Sequence, residues 1–225
     1  MRKNLLLLLF ICCSTAIAQP TKERSTVTLH TTKGDITIAL YNETPIHRDN
    51  FLTLCQNHFY DSLLFHRVIE GFMIQGGDPD SKGARLDKPL GDGGPGYDLP
   101  AEICFPKLYH RRGVVAAARE GDDVNPERRS SGSQFYIVWG KRFTKREIKS
   151  MADTIARRTK QNVILPDSIR QVYTKTGGTP HLDGQYTVFG EVIKGLDIVE
   201  RIQKVAIRPN NRPFDDVIIL STTVE

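Results

Sequence analysis

Apolar and polar residues alternate over residues 27–30 (VTLH) and 36–40 (ITIAL), and Lys33-Gly34-Asp35 lies between them, so the chain opens with a predicted β-hairpin. The period then changes. Thr44 can cap a helix, Pro45 suits its first turn, and Phe51, Leu52, Leu54 and Cys55 supply an apolar stripe that ends near Asn57. Short strand-like runs recur at 63–69, 72–75, 113–118, 134–139, 186–192 and 217–222, separated by Gly and Pro clusters. Strands spaced by turns rather than by helices describe a mainly β fold, a sheet that closes on itself. A second helix fits 196–205.

One stretch departs from this rhythm. Over residues 141–175 the apolar spacing becomes helical (Ile148, Met151, Ile155), and ten Lys/Arg stand against three Asp/Glu, a local +7 against +5 for the whole chain. The remainder is therefore slightly acidic. The segment lacks the aromatic interleaving of a nucleic-acid surface, so it reads as a solvated helical insertion, and no nucleic-acid partner is expected.

The first residues, MRKNLLLLLFICCSTAIAQ, combine a basic tip (Arg2, Lys3), an apolar stretch and the small-residue site Ala16-Ile17-Ala18, the three parts of a secretory leader. Cleavage is expected after Ala18, with 19–26 as a short linker and 27–225 as one domain carrying the basic insertion at 141–178. Lipid attachment at Cys12 or Cys13 is disfavoured by the bulky Ile11 before them. No other segment approaches the roughly 20 apolar residues of a membrane span. The expected product is an exported, periplasmic monomer without a transmembrane span, secretion or a lipid anchor being the alternatives. Cleavage leaves Cys55 and Cys104, read as two buried thiols, with a disulfide as the alternative that export permits. Without CxxC or regular His/Cys spacing, neither zinc nor another metal is expected.

Two motif matches fail on context. Residues 91–96 (GDGGPG) formally satisfy G-x-G-x-x-G, yet a dinucleotide site needs a helix opening there, and Pro95 and Gly96 make a poor helix start. A hydrolytic set of Ser133, His66 and Asp78 lacks the nucleophile elbow, since Ser133 sits in SGSQF.

Four blocks carry the chemistry: FHRVIEGFMIQGGDP (65–79), GDGGPGYDLPAEI (91–103), RRGVVAAARE (111–120) with SGSQFYIVWG (131–140), and PHLDGQYTVFGEV (180–192). In this order they resemble the cyclophilin-type peptidyl-prolyl isomerases. The resemblance runs from about residue 27 to 140 and resumes near 179, skipping the leader and the basic insertion. It implies a closed eight-stranded antiparallel β-barrel capped by two α-helices, with a groove on its outside. It also implies proline-containing polypeptides as substrates and no cofactor. Carried across residue by residue, Arg67 is the catalytic cation, Phe72, Met73, Tyr136 and Leu182 form the proline pocket, and Gln75 and Gln134 supply polar contacts. Ala118 and Arg119 would line the groove and offer backbone hydrogen bonds, while His181 and Tyr186 flank it. Taken singly, Arg67 could be a strand arginine paired with Glu70, and Phe72 and Met73 ordinary core residues.

The residue types suit the reaction. Rotation about an X-Pro bond faces a barrier of about 18–20 kcal/mol because amide resonance makes the C–N bond partly double. No bond is broken. A fixed guanidinium can donate to the lone pair that the prolyl nitrogen acquires only in the twisted state, so its interaction favours the transition state selectively. Holding a proline segment without turnover, as a binding module or chaperone would, does not require Arg67. Three aromatic positions depart from the family pattern. His181 stands where tryptophan is usual, which puts cyclosporin binding in doubt, while Tyr186 replaces a histidine and Tyr136 a frequent phenylalanine. Arg119 replaces an asparagine seen in some members.

Overall fold

A computed structural model describes residues 23–159 and 165–225; the leader reading at residues 1–18 and part of the linker lie outside them. The elements run β1 (Thr26–Thr31), β2 (Gly34–Leu40), α1 (Pro45–Gln56), β3 (Arg67–Ile69), β4 (Met73–Gly76), β5 (Asp98–Leu99), β6 (Val114–Ala117), β7 (Ser130–Ser131) and β8 (Phe135–Val138). Then follow α2 (Lys145–Thr159), α3 (Asp167–Lys175), β9 (Val188–Lys194), α4 (Leu196–Gln203) and β10 (Ile219–Val224). Eight strands pair antiparallel in the order β10-β1-β2-β9-β6-β8-β4-β3, and β5 pairs separately with β7.

The mainly β expectation holds, but the sheet is curled and open where a closed barrel was expected. Its edges are β3 and β10. Ahead of β3, the Phe65 amide donates to the Val217 carbonyl at 2.9 Å and the Ile219 amide to Leu63 at 2.8 Å, around a single isolated Leu64–Ile218 bridge. Farther along, the β3 edge is taken by a loop instead: the Val68 amide donates to the carbonyl of Asn211, at 2.9 Å. A three-residue strand whose outer edge is occupied cannot extend a ladder to β10.

Inward-facing residues of alternate register fill one core. Val27, Leu29, Ile36, Ile38, Val68, Ile74, Val115, Ile137 and Ile219 are buried with an aromatic group of Phe51, Tyr60, Phe65, Phe135 and Phe189. Two helices cap it, α1 through Phe51, Leu54 and Cys55, and α4 through Ile198, Val199 and Ile202. Thr44 stands at the α1 N-cap, but its hydroxyl makes no cap bond and is buried without a partner. The first turn is capped from outside: the Glu102 carboxylate accepts from the amides of Ile46 (3.1 Å) and His47 (2.9 Å) and from the His47 ring (2.7 Å). A charged acceptor on the positive end of a helix is worth more than a hydroxyl. Glu102→Ala is therefore expected to lower unfolding free energy by about 1–2 kcal/mol in a urea titration; no change would assign the capping elsewhere.

The basic segment is helical as expected. Helices α2 and α3 bury Ile148, Ile155, Ile169 and Tyr173 with Phe143 and Leu165 in a small core of their own, against Phe105 and Tyr109. Its two ends meet at a neck. The Gly178 amide donates to the Lys141 carbonyl at 3.1 Å, and a Cβ on Gly140 (φ +66°) would fall 2.1 Å from the Gly178 oxygen. Neither glycine admits a side chain, since a Cβ on Gly178 would in turn fall 2.2 Å from the His110 oxygen.

The described residues contain no disulfide between Cys55 and Cys104. Both are free thiols. Cys55 is buried, which pushes its pKa up to about 12, whereas Cys104 is only partly covered and its thiol lies 3.6 Å from the Glu43 carbonyl. The reading of two buried thiols holds for one. No helix among the described residues is long and apolar enough to cross a membrane.

Candidate active site

Strands β3 and β4 form a hairpin that sets Arg67 directly opposite Gln75, and β4 in turn sets Gln75 opposite Tyr136 of β8. Because side chains alternate across a sheet, the residues pointing away from the core gather on the outer face. There Met73, Ala116, Tyr136, Val138 and Val188 make a second buried cluster, with Phe72, Ala118, Leu182 and Tyr186 packed on it. Arg67, Phe72, Met73, Gln75, Ala118, Arg119, Tyr136, Leu182 and Tyr186 together line one cavity of about 150 Å³. All nine are among the site residues that the resemblance implies.

The guanidinium of Arg67 is half-buried and held from one side. Its Nη1 donates to Gln75 Oε1 at 3.0 Å; Gln75 Nε2 donates to Gln134 Oε1 at 3.0 Å; and Gln134 Nε2 donates to the carbonyls of Gly91 (2.7 Å) and Gly93 (2.8 Å). This relay fixes both amide orientations and anchors the cation to the glycine-rich loop. Among the described residues no carboxylate pairs with Arg67, so the pairing with Glu70 is not made. Partial burial lowers its pKa from the ordinary arginine value, yet a guanidinium stays protonated in proteins.

Gln134 and His181 lie beside this cavity rather than in its lining. Gln134 belongs to a neighbouring polar cavity of about 510 Å³ lined by Gly91, Gly93, Gly94 and Gly96, which shares Gln75, Ala118 and Arg119 with the groove. His181 packs on Phe72 with ring centroids 5.5 Å apart. Of the backbone groups of Ala118, the amide already donates to Gln134 O (2.9 Å), while the carbonyl accepts from the Ser131 amide (2.8 Å) and keeps a second lone pair. Ala118 contributes a methyl wall. No hydrogen bond engages the Arg119 amide or carbonyl among the described residues. The Arg119 side chain folds away, donating to Gln185 O (2.9 Å) and Glu120 O (2.7 Å), with its guanidinium 4.5 Å from the Tyr186 ring centroid.

Sequence reasoning missed the support beneath the pocket. Asp183 is fully buried and accepts from the His110 amide (2.8 Å), from His110 Nδ1 (3.0 Å) and, through its other oxygen, from the Tyr173 hydroxyl (2.7 Å). A carboxylate on Nδ1 fixes the proton there, which leaves Nε2 to accept from the Tyr136 hydroxyl at 2.9 Å. The chain Tyr173–Asp183–His110–Tyr136 thus ties α3 to the pocket floor. It also accounts for a tyrosine where phenylalanine is frequent, since the extra hydroxyl has a partner. Only Asp183, inside the block 180–192, carried any local signal.

The rejected motifs stay rejected. Ser133 Oγ donates to the Gly77 carbonyl (2.7 Å), and both His66 ring nitrogens are buried without partners, so no nucleophile faces a base. Residues 91–96 form a loop with no helix opening at it. Burial instead lowers the His66 pKa to about 4 and lowers that of His47 too. The unfolded chain, with histidines near 6.5, takes up protons that the folded chain refuses, so stability is intact above pH 6.5 and is lost as pH falls toward 4. His66 accounts for about 3 kcal/mol of that loss. In urea titrations at several pH values, His66→Phe should flatten the slope between pH 6.5 and 4; an unchanged slope would rule out this histidine as the cause.

Comparisons with known proteins follow the same lines. The family model described as "Cyclophilin type peptidyl-prolyl cis-trans isomerase/CLD" matches residues 26–224. A Staphylococcus aureus (strain USA300) protein, provisionally named a peptidyl-prolyl cis-trans isomerase, is 36% identical over 200 residues, 88% of this chain and 91% of that one. A Staphylococcus saprophyticus protein with the same provisional name is 35% identical over 198 residues, covering 87% and 89%. Among solved structures, a Cryptosporidium parvum cyclophilin-type peptidyl-prolyl cis-trans isomerase is similar with a TM-score of 0.64 and 26% identity, over 90% of this chain and 98% of that one. A match spanning the whole sheet, seconded by relatives above one-third identity, leads to one conclusion: this protein belongs to the cyclophilin-type peptidyl-prolyl cis-trans isomerases.

Proposed function

We propose that the groove on the outer face of the sheet is where this isomerase turns X-Pro bonds, with Arg67 stabilising the twisted state. The observation that carries the reading is the 150 Å³ cavity, in which an unpaired guanidinium stands beside an apolar floor of Phe72, Met73, Tyr136 and Leu182. The floor grips the pyrrolidine ring while the acyl part turns. Arg67 donates to the prolyl nitrogen as resonance is lost, and Gln75 holds the guanidinium at the required height. The free Arg119 amide and carbonyl suit the backbone of an extended substrate. A further crystal structure of the Cryptosporidium parvum isomerase, with a TM-score of 0.63 and 25% identity to this chain, was obtained in the presence of the dipeptide Ala-Pro. Every step is a rotation, so the reaction uses no cofactor.

The leader at residues 1–18 supports export, and with it a role in folding polypeptides outside the cytosol, where uncatalysed X-Pro isomerisation takes tens of seconds or more. Magnetisation exchange between the cis and trans forms of a proline peptide is the direct assay. Catalytic amounts of the protein should bring exchange into the range of tens per second or faster, and unchanged exchange would overturn the assignment of turnover to this groove.

A further inference from the structure

A large apolar hollow lies beside the groove, and the basic segment builds half of it. A cavity of about 640 Å³ is lined by Phe72 and His181 on one side and by Phe143, Arg146, Ser150 and Met151 on the other, with Lys141 and Glu147 at its rim. Phe72 belongs to this cavity and to the proline pocket alike, and His181 packs on its ring. The proline pocket thus has unlike neighbours: the polar glycine-rich cavity shares Gln75, Ala118 and Arg119 with it, and this apolar one shares Phe72.

The Lys, Arg and Glu residues of the rim all belong to the basic segment. Glu147 is occupied, accepting from the Thr144 amide (2.7 Å) and hydroxyl (2.8 Å) and pairing with Lys141 at 3.5 Å. Lys141 also lies 5.1 Å from the centroid of the Phe143 ring. Arg146 is exposed and pairs with no carboxylate among the described residues. An apolar hollow with a cationic rim therefore opens next to the pocket that takes proline.

We propose that this cavity is a second substrate subsite, which takes a large apolar side chain two or three residues from the proline, with an acidic residue beside it that meets Arg146. Its occupant is the substrate polypeptide itself, on the flank that does not enter the glycine-rich cavity. Two or three extended residues cover roughly 7–10 Å, enough to pass the Phe72 wall. The basic segment then acts as a specificity element. His181 also acquires a use: a smaller ring than tryptophan leaves the passage over Phe72 open. The inference deepens the reading of the groove and rests on it.

The test compares proline peptides carrying Phe-Glu or Ser-Lys two and three positions from the proline, made in one pair before it and one pair after it. In one of the two pairs the kcat/KM for Phe-Glu should exceed that for Ser-Lys by about tenfold, corresponding to part of the burial of one aromatic side chain. Ser150 is exposed on α2, so Ser150→Trp places an indole in the hollow without entering the core, and the ratio should fall to within about twofold. Arg146→Glu should reverse the preference between Phe-Glu and Phe-Lys peptides. Ratios near one in both pairs, or a ratio that survives Ser150→Trp, would overturn the subsite. If no peptide turns over at all, the reading of the groove fails separately. The Met151 methyl resonance then decides: a shift on adding the Phe-Glu peptide but not the Ser-Lys peptide supports the subsite, and no difference between them overturns it.

Discussion

Arg67→Ala is expected to lower kcat/KM for an X-Pro peptide by about 10²–10³-fold with little change in stability, the usual cost of removing one preorganised donor from a developing charge. The size follows from where the side chain stands. It is half-buried, it makes one hydrogen bond to Gln75, and no carboxylate neutralises it among the described residues, so its charge is turned toward the cavity. Removing it leaves the apolar floor intact. Binding of a proline peptide should therefore weaken far less than turnover, a split that a structural arginine would not give. Arg67→Lys should recover little, because a mobile and strongly hydrated ammonium cannot take both the Gln75 oxygen and the prolyl nitrogen from one rigid plane. Equal turnover in wild type and Arg67→Ala would leave the fold and the family assignment standing but remove the catalytic role from Arg67.

The largest expected loss of stability lies beneath the pocket. Asp183→Ala should lower the unfolding free energy by about 3–5 kcal/mol, as one deletion strips the acceptor from the His110 amide, the His110 ring and the Tyr173 hydroxyl. Each donor is buried, so losing its acceptor exposes the full cost of desolvating it. Against total stabilities of about 5–15 kcal/mol this is a large share. Tyr173→Phe, which takes one of three donors from the buried carboxylate, should cost about 1.5–3 kcal/mol and serves as the scale. Urea unfolding monitored by circular dichroism measures both. A cost for Asp183→Ala no greater than that of Tyr173→Phe would show that the network does not act as a unit.

What the sequence disclosed depended on the range of the interaction. Period-two runs around Lys33-Gly34-Asp35 gave β1 and β2 nearly to the residue, and the adjacent strand-like runs at 63–69 and 72–75 contain the hairpin that carries Arg67 and Gln75. These are local signals. The groove was readable because its lining clusters in short blocks that resemble those of the cyclophilin-type isomerases. Nothing local marks Glu102 as the cap of a helix that begins at Pro45, and Thr44 was the better guess from spacing alone. His110 and Asp183 are 73 positions apart, and no periodicity joins them. The two-residue strands β5 and β7 are too short to show a period. Closure of the sheet failed for a similar reason: whether β10 or the Asn211 loop holds the edge of β3 is decided by tertiary competition for one amide.

The neck at Gly140 and Gly178 has a bearing on how such a chain can change. Where two backbones touch, everything between them leaves and re-enters the fold at one point, so residues added to or removed from the interval do not shift the register of β8 or β9. Loop-closure entropy grows only slowly with loop length, so the interval is thermodynamically free to lengthen. Residues can therefore come and go within the interval while the strands that carry Arg67 and Tyr136 keep their register, so long as Tyr173 keeps its bond to Asp183.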